Sequence, residues 1–173
     1  MNDNKQTRKP LRLKNYDYSS GGTYFLTICT HNKQKSLCEI IPRKDDFSLP
    51  HTKLTVFGQL AKETITEITV RDYVTVDNYV IMPNHIHLLI TLSSPIPDRG
   101  KPCHYDIPQI VGKYKSLVAR KWLAVCQSQN RQMGQIWQRS YHDHIIRCEK
   151  DYLDIWKYID ENPMKWEIDK YYK

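Results

Sequence analysis

The stretch Tyr79-Val80-Ile81-Met82-Pro83-Asn84-His85-Ile86-His87-Leu88-Leu89-Ile90 contains two short apolar runs interrupted by a proline and an asparagine. Proline and asparagine favour turns, whereas the flanking runs have the length and composition of buried strands. The stretch therefore predicts two strands, over residues 73–81 and 84–92, that pair across a tight turn. The rest of the chain is interpreted around this hairpin.

Two histidines give the second predicted strand a chemical character. His85 and His87 are two positions apart, so on a strand both side chains leave the sheet on the same face. Burying a titratable ring on a hydrophobic face costs free energy unless the ring has a hydrogen-bond or metal partner. Two imidazoles side by side can ligate a metal ion. The pattern also fits one core histidine and one exposed neighbour, because an HxH pair alone is a weak motif.

Length and composition restrict the class of protein. The 173 residues predict a single domain over 21–173, preceded by a basic arm over 1–20. No apolar run is long enough to span a membrane, and none of the five cysteines forms a CxxC pair. We therefore expect a protein of the reducing cytoplasm without a disulfide framework.

The positive charge is concentrated in two stretches, within a net charge of +7. One is the arm, and the other runs from Ile107 to His142 without a single Asp or Glu. Phosphate contacts dominate nucleic-acid affinity, so this pattern favours a nucleic-acid partner over a solvated basic face. The cations expected to contact DNA are Arg12, Lys14, Lys113, Lys115, Arg120 and Lys121.

The order of the remaining elements predicts the fold class. Strands are expected over 23–30 and 135–146, and helices over 56–70, 108–128 and 150–161. Residues 31–53 are interpreted as a loop with a small hairpin, and 93–106 as a flexible linker. This order predicts an α+β, ferredoxin-like βαββαβ antiparallel sheet with helices on one face and an extra C-terminal helix.

The last predicted helix carries a tyrosine and an amide on one face. Tyr158 and Asn162 are four residues apart, which is about one helical turn. Tyr158 lies at the margin of the apolar stripe, where its side chain can reach a groove. Since the chain has 12 tyrosines, this position alone does not distinguish a nucleophile from a packing residue.

Four motifs occur together from about residue 11 to residue 165. They are Tyr16-Asp17-Tyr18-Ser19 with Tyr24-Phe25-Leu26-Thr27, Val80-Ile81-Met82-Pro83-Asn84-His85-Ile86-His87-Leu88-Leu89, Ile136-Trp137-Gln138 with His142-Asp143-His144-Ile145-Ile146-Arg147, and Tyr158-Ile159-Asp160-Glu161-Asn162-Pro163. In this order they resemble the REP-associated tyrosine transposases, which belong to the single-tyrosine branch of the HUH endonucleases. Residues 34–55 match no part of that pattern.

The resemblance implies an enzyme that nicks and rejoins single-stranded DNA at hairpins of palindromic repeats in the bacterial nucleoid. It implies that His85, His87 and Asn162 hold a divalent ion, Mg²⁺ or Mn²⁺. It also implies that Tyr158, on a catalytic C-terminal helix, forms a 5′-phosphotyrosine ester, which preserves the bond energy for rejoining. The family resemblance further suggests a monomer or a homodimer.

Several alternatives remain open from the sequence. His142, Asp143 and His144 form another HxH group, although the resemblance favours a supporting or structural role for Asp143 and His144. The chain could be a domesticated hairpin-binding protein without transposition, or a metal-dependent hydrolase that uses water in place of Tyr158. Only the strand-rejoining enzyme is expected to form a covalent protein–DNA adduct.

We predict that the affinity for single-stranded DNA depends steeply on salt. Log affinity should fall with log salt by about 0.7 for each phosphate contact. Lys113→Ala and Arg120→Ala should each flatten this slope, because each variant loses one cation. Fluorescence anisotropy at several salt concentrations measures the slope, and an affinity that does not respond to salt would contradict a basic DNA-binding surface.

Overall fold

The computed structural model describes residues 21–42, 50–69, 74–93 and 106–172. The strands in these ranges are β1 Gly22–Cys29, β2 Cys38–Ile41, β3 His51–Leu54, β4 Val74–Ile81, β5 His85–Leu92 and β6 His142–Ile146. The α-helices are α1 Val56–Thr69, α2 Ile107–Ser128 and α3 Glu149–Glu161, and 3₁₀ segments cover His31–Lys33 and Asn162–Ile168.

Four strands form the main antiparallel sheet in the order β4-β5-β1-β6. β4 and β5 make the predicted hairpin, and Met82 N donates to His85 O at 2.9 Å across its turn. With α1 and α2 in the connections, this topology is the ferredoxin-like arrangement that the sequence predicts, and α3 follows it as the extra helix. The predicted fold class is therefore confirmed.

The two faces of the main sheet are covered by different helices. On one face, Ile86 and Leu88 of β5 belong to a large core that includes residues of α1 and α2. On the other face, Leu89 packs with Phe25 and with Ile159 of α3. Because side chains alternate along a strand, the two histidines of β5 share the face of Leu89, under α3.

Outside this sheet the structure refines the predicted boundaries. The strand-like segment expected over 135–146 is regular only in β6, and Trp137 makes an isolated bridge to Thr30. The expected small hairpin is present as β2–β3. The arm over 1–20 and residues 94–105 of the linker lie outside the described residues.

The helices of the described ranges include none that is both long and apolar enough to cross a membrane.

The start of α1 packs directly on the backbone of the β1–β2 connection. Thr55 Oγ1 accepts a hydrogen bond from Gly58 N at 3.0 Å. A Cβ atom on Gly58 would lie only 1.9 Å from Leu37 O. Leu37 N in turn donates to Pro83 O at 3.0 Å, so this close approach also fixes the turn that precedes the histidines.

We predict that Gly58→Ala lowers the free energy of unfolding by about 1–3 kcal/mol, since the added methyl group forces the backbone at Leu37 to move. Gly112→Ala in α2 is the matched control, because no atom lies within 4 Å of its added Cβ. That variant should gain up to about 1 kcal/mol from its helix propensity. Urea denaturation measures both, and equal stability of the two variants would contradict the packing described here.

Candidate metal and nucleophile site

β5 carries its two histidines to the sheet face that α3 covers. In the register between β1 and β5, Cys29 lies opposite His85 and Thr27 lies opposite His87. Both histidines are fully buried, with 0% of their surface exposed. Polar rings buried to this degree need partners, and each of their ring nitrogens has one.

Asn84 fixes the orientation of the His85 ring. Asn84 Nδ2 donates to Tyr171 O at 2.8 Å, and since a carbonyl can only accept, Asn84 Oδ1 must face His85 Nδ1, 2.8 Å away. His85 Nδ1 therefore carries a proton and donates it. Neutral His85 consequently has its lone pair on Nε2, which points at His87.

His87 is held from the opposite side by β1. Its Nδ1 lies 2.9 Å from Thr27 Oγ1, and its Nε2 lies 3.1 Å from His85 Nε2. Burial is the main cause that lowers the pKa of both histidines, so both rings are neutral near pH 7 and available as ligands. Two nitrogen ligands on one ion at about right angles lie about 3 Å apart, which matches this separation.

A carboxylate completes the polar cluster. An oxygen of Asp169 lies within 4.8 Å of the ligand nitrogens of His85 and His87, and among the described residues no other three His, Cys, Asp or Glu side chains converge in this way. Asp169 Oδ1 accepts a hydrogen bond from Tyr171 N at 2.6 Å. The other oxygen, Oδ2, faces α3.

Tyr158 lies at the edge of this cluster. Its Oη is 3.4 Å from His87 Nε2 and 3.4 Å from Asp169 Oδ2. Burial raises the pKa of Tyr158, the negative charge of Asp169 raises it further, and a hydrogen bond from Asn162 opposes these effects. The phenol is therefore protonated at neutral pH, and it needs a nearby cation or base to act as a nucleophile.

Asn162 occupies the predicted place one turn after Tyr158. It is buried, and its Nδ2 lies 3.4 Å from Asp169 Oδ2. Its Oδ1 has no hydrogen-bond partner within the described parts of the chain. A buried amide oxygen without a partner is costly, and such oxygens are ligands for hard divalent cations. Two imidazoles, this oxygen and a carboxylate therefore fit a divalent cation.

The edge of the cluster at β6 adjoins a cavity of about 390 Å³. Three of the residues that line this cavity, Phe25, Thr27 and Tyr171, contact His87. The others are His142, Asp143, His144 and Lys170. The cavity is wide enough to admit part of a nucleotide beside the polar cluster.

The two residues predicted to support the site from β6 lie beside this cavity. Asp143 lines it, and His144 Nε2 forms a 2.9 Å hydrogen bond with Asp151 Oδ2 of α3. This contact connects β6 to α3, so the His144 side chain lies against α3 rather than against His85. The alternative metal cluster at His142 is not formed among the described residues.

Lys115, one of the predicted DNA contacts, has a different environment from the one expected. It is half-buried, and its Nζ donates to Gln138 O at 2.8 Å and to Ser140 O at 2.9 Å. Burial lowers the pKa of this lysine. Its ammonium group therefore fastens α2 to the chain before β6.

The other predicted cations have varied positions. Lys121 Nζ forms an ion pair with Glu67 of α1. Arg120 is exposed on α2, and Lys113 is partly exposed. Arg12 and Lys14 lie outside the described residues.

Asp169, Thr27 and Tyr171 belong to the site but are not among the residues that the sequence predicts for it. Asp169 comes after the predicted end of the last helix, in a stretch without periodicity, so no pattern singles it out. The Tyr171 ring covers both histidines, with centroids 4.5 Å from His85 and 5.9 Å from His87. Thr27 lies on a correctly predicted strand, but only the pairing register shows that it faces His87.

Comparisons with known proteins show a family to which the chain is similar. The family model described as IS200-like transposases matches residues 55–162. This range is more than half of the chain, and it includes both histidines, Tyr158 and Asn162.

Individual relatives extend over most of the chain. An uncharacterised protein of Haemophilus influenzae is 34% identical over 181 residues, which cover 95% of this chain and 93% of that protein. The REP-associated tyrosine transposase of Escherichia coli K12 is 24% identical over 148 residues, which cover 86% of this chain and 70% of that protein. A solved structure of a REP-associated tyrosine transposase bound to a REP hairpin has a TM-score of 0.55 at 22% identity, and the match covers 92% of this chain and 76% of that one. This likeness shows the same fold.

We predict that Asp169→Asn weakens Mn²⁺ binding by about tenfold or more, because it removes the negative charge from the cluster. Electron paramagnetic resonance of free Mn²⁺ measures the affinity. Asp151→Asn is the matched control, since that carboxylate contacts His144 instead of the cluster. Equal Mn²⁺ affinities of the two variants would show that Asp169 takes no part in holding the cation.

Proposed function

The chain belongs to the IS200-like transposase family, and from this premise we propose that it nicks and rejoins single-stranded DNA through a covalent 5′-phosphotyrosine ester on Tyr158. The proposal assigns this activity to a single catalytic domain over residues 21–173, with the arm over 1–20 as an additional contact to DNA.

One observation carries the proposal. Tyr158 Oη lies 3.4 Å from His87 Nε2, so a phosphate bound at the paired imidazoles is within reach of the phenol. A packing tyrosine would bury its hydroxyl against the helix or the sheet, whereas this hydroxyl faces the most polar cluster under α3. The family motif YIxxNP places a tyrosine at this position.

The side chains around Tyr158 suit a nucleophilic displacement. Tyr158 Oη attacks the phosphorus atom, a new oxygen–phosphorus bond forms, and the bond from phosphorus to the 3′ oxygen breaks. Asp169 Oδ2, 3.4 Å from Oη, accepts the phenolic proton, and the 3′ oxygen leaves as a hydroxyl after it has taken up a proton from solvent water. Such catalytic contacts are often long without substrate and shorten in the reacting complex.

His85, His87 and Asn162 would hold the divalent cation, with Asp169 beside them. A bound Mg²⁺ or Mn²⁺ supplies positive charge that stabilises the pentavalent phosphate of the transition state. Carboxylate and amide oxygens favour these hard cations over softer metals. The sequence alone suggested only neutral ligands. Asp169 adds a negative charge, which should increase the affinity for a divalent cation.

The substrate is proposed to be DNA that folds into hairpins of palindromic repeats, on the bacterial chromosome. The relative of known structure, bound to a REP hairpin, supports this choice. The net charge of +7 also supports a DNA partner. Rejoining would follow when a free 3′ hydroxyl attacks the phosphotyrosine ester and releases Tyr158.

We predict that Tyr158→Phe abolishes both strand cleavage and the covalent protein–DNA adduct, with DNA and Mn²⁺ binding retained. The variant keeps the ring, which packs against Phe25 with centroids 5.9 Å apart, and it removes only the attacking oxygen. Incubation with labelled hairpin DNA and Mn²⁺, followed by denaturing gels and mass spectrometry, measures the adduct.

Tyr152→Phe is the control for that variant, because Tyr152 lies on the same helix and stacks on Trp156. It should cleave as the unchanged protein does. Cleavage by Tyr158→Phe, or an adduct that maps to another tyrosine, would disprove the assignment. Cleavage without any adduct would instead favour a hydrolase.

We also predict that His85→Ala and His87→Ala each remove cleavage but reduce DNA affinity by less than about threefold, since the phosphate contacts are spread over many cations. Cleavage assays and fluorescence anisotropy on the same samples separate the two effects. A loss of DNA affinity as large as the loss of cleavage would show that the histidines hold DNA directly.

A further inference from the structure

Three lysines gather over two adjacent tyrosines beside the metal site. Lys33 Nζ and Lys170 Nζ lie 5.3 Å and 5.0 Å from the ring centroid of Tyr171. Lys35 Nζ lies 4.6 Å from the ring centroid of Tyr172. We call these five residues the lysine–tyrosine rim. Its cations come from the chain after β1 and from the segment after α3, two parts that are far apart in sequence.

Among the described residues, no ion pair neutralises the charges of the rim. Within the described parts of the chain, none of its three lysines forms a salt bridge with a carboxylate, although Lys121, Lys150, Lys157 and Lys165 do. Lysines over aromatic rings keep their full charge and remain available to anions. The rim is therefore a patch of free positive charge.

The rim lies close to the reacting groups. The Tyr171 ring is 4.5 Å from His85 between centroids. An anion bound at the rim would thus lie next to the phosphate that the site holds.

A groove continues from the rim along the β2–β3 hairpin. Its cavity of about 730 Å³ is lined by Lys35, Trp166 and Tyr172, by four prolines, and by residues of β2. Tyr172 and Trp166 meet edge to face, with centroids 5.1 Å apart. The Trp166 ring also lies 6.1 Å from the His85 ring, so it is shared by the groove and the metal site.

We propose that the lysine–tyrosine rim and this groove bind the unpaired DNA strand next to the cleaved phosphate, with a base stacked on Tyr172 and its phosphates at Lys33, Lys35 and Lys170. This inference rests on the proposed function. Aromatic faces beside cations are the usual means of binding single strands. A double helix could not stack on Tyr172, because its bases are already paired and stacked.

Two carboxylates in the groove define which part of the strand enters it. Glu39 and Glu167 line the wall beyond Lys35, and their negative charge repels phosphate. They can accept hydrogen bonds from the amino groups of adenine, guanine or cytosine. The bases therefore enter the groove and the backbone stays at the rim. The β2–β3 hairpin, which matched no family motif, thereby acquires a role as the outer wall.

The test compares two kinds of oligonucleotide: a bare DNA hairpin, and the same hairpin with an unpaired extension of about ten nucleotides on either its 5′ or its 3′ side. In the full-length protein, Tyr172→Ala and Lys35→Ala should each weaken the binding of one extended hairpin about tenfold. Neither variant should change the affinity for the bare hairpin. Tyr172→Phe should bind as the unchanged protein does. Lys35→Ala should also reduce the salt slope for the extended hairpin by about 0.7.

Trp156→Ala and Lys62→Ala are the controls, since both side chains are exposed elsewhere on the molecule. They should not distinguish the two oligonucleotides. Photocross-linking from 5-bromodeoxyuridine in the extension should label the peptide that contains Tyr172. Melting temperatures confirm that each variant is folded.

The rim proposal and the proposed function can fail separately. If the unchanged protein forms the Tyr158 adduct but Tyr172→Ala and Lys35→Ala bind both oligonucleotides as it does, the groove does not hold the strand and only this inference is overturned. Cross-links that map to α2 would have the same consequence. If the extension adds no affinity to the unchanged protein, the inference is also overturned, whereas absence of any adduct counts against the proposed function.

Discussion

The contact between His85 Nε2 and His87 Nε2, at 3.1 Å, is the constraint on which the rest of the site depends. Asn84 keeps the proton of His85 on Nδ1, so that His85 Nε2 can only accept. With both rings fully buried, His87 must either donate its own proton across the gap or share a cation with its neighbour. In both cases the backbone has to hold the two rings edge to face, with an interplanar angle of 66° between them.

The turn before β5 holds the backbone of the histidines in place, and α1 is connected to this turn through backbone contacts. Thr30 N donates to Asn84 O at 2.9 Å, and Leu37 N donates to Pro83 O at 3.0 Å, so the chain after β1 is bonded to both turn residues. Leu37 O is in turn covered by α1 at Gly58, where only a hydrogen atom fits. The position of the histidines is thus connected to the packing of the opposite face of the sheet.

The sequence predicts the parts of this site that depend on local periodicity. On a strand, a spacing of two residues puts His85 and His87 on one face. On a helix, a spacing of four residues does the same for Tyr158 and Asn162. Asp169 and the lysine–tyrosine rim could not be predicted, because they depend on the chain returning to the sheet after α3, and no periodic pattern marks that path. The hydrogen bonds of Lys115 to the carbonyls of Gln138 and Ser140 could not be predicted either, because composition counts charges without showing which of them are bonded to carbonyls.

Asp169 joins three features of the site that the sequence presents as separate. Its charge raises the pKa of Tyr158, its carboxylate lies beside the two histidines, and its Oδ1 accepts from Tyr171 N at 2.6 Å. Neutralising this one carboxylate, by a cation or a proton, removes one cause that keeps the phenol protonated. The same carboxylate is bonded to the backbone of Tyr171, so one side chain connects the hydroxyl of Tyr158, the two histidines and the segment that carries the rim. The protonation of Tyr158 is therefore linked to the polar cluster through Asp169.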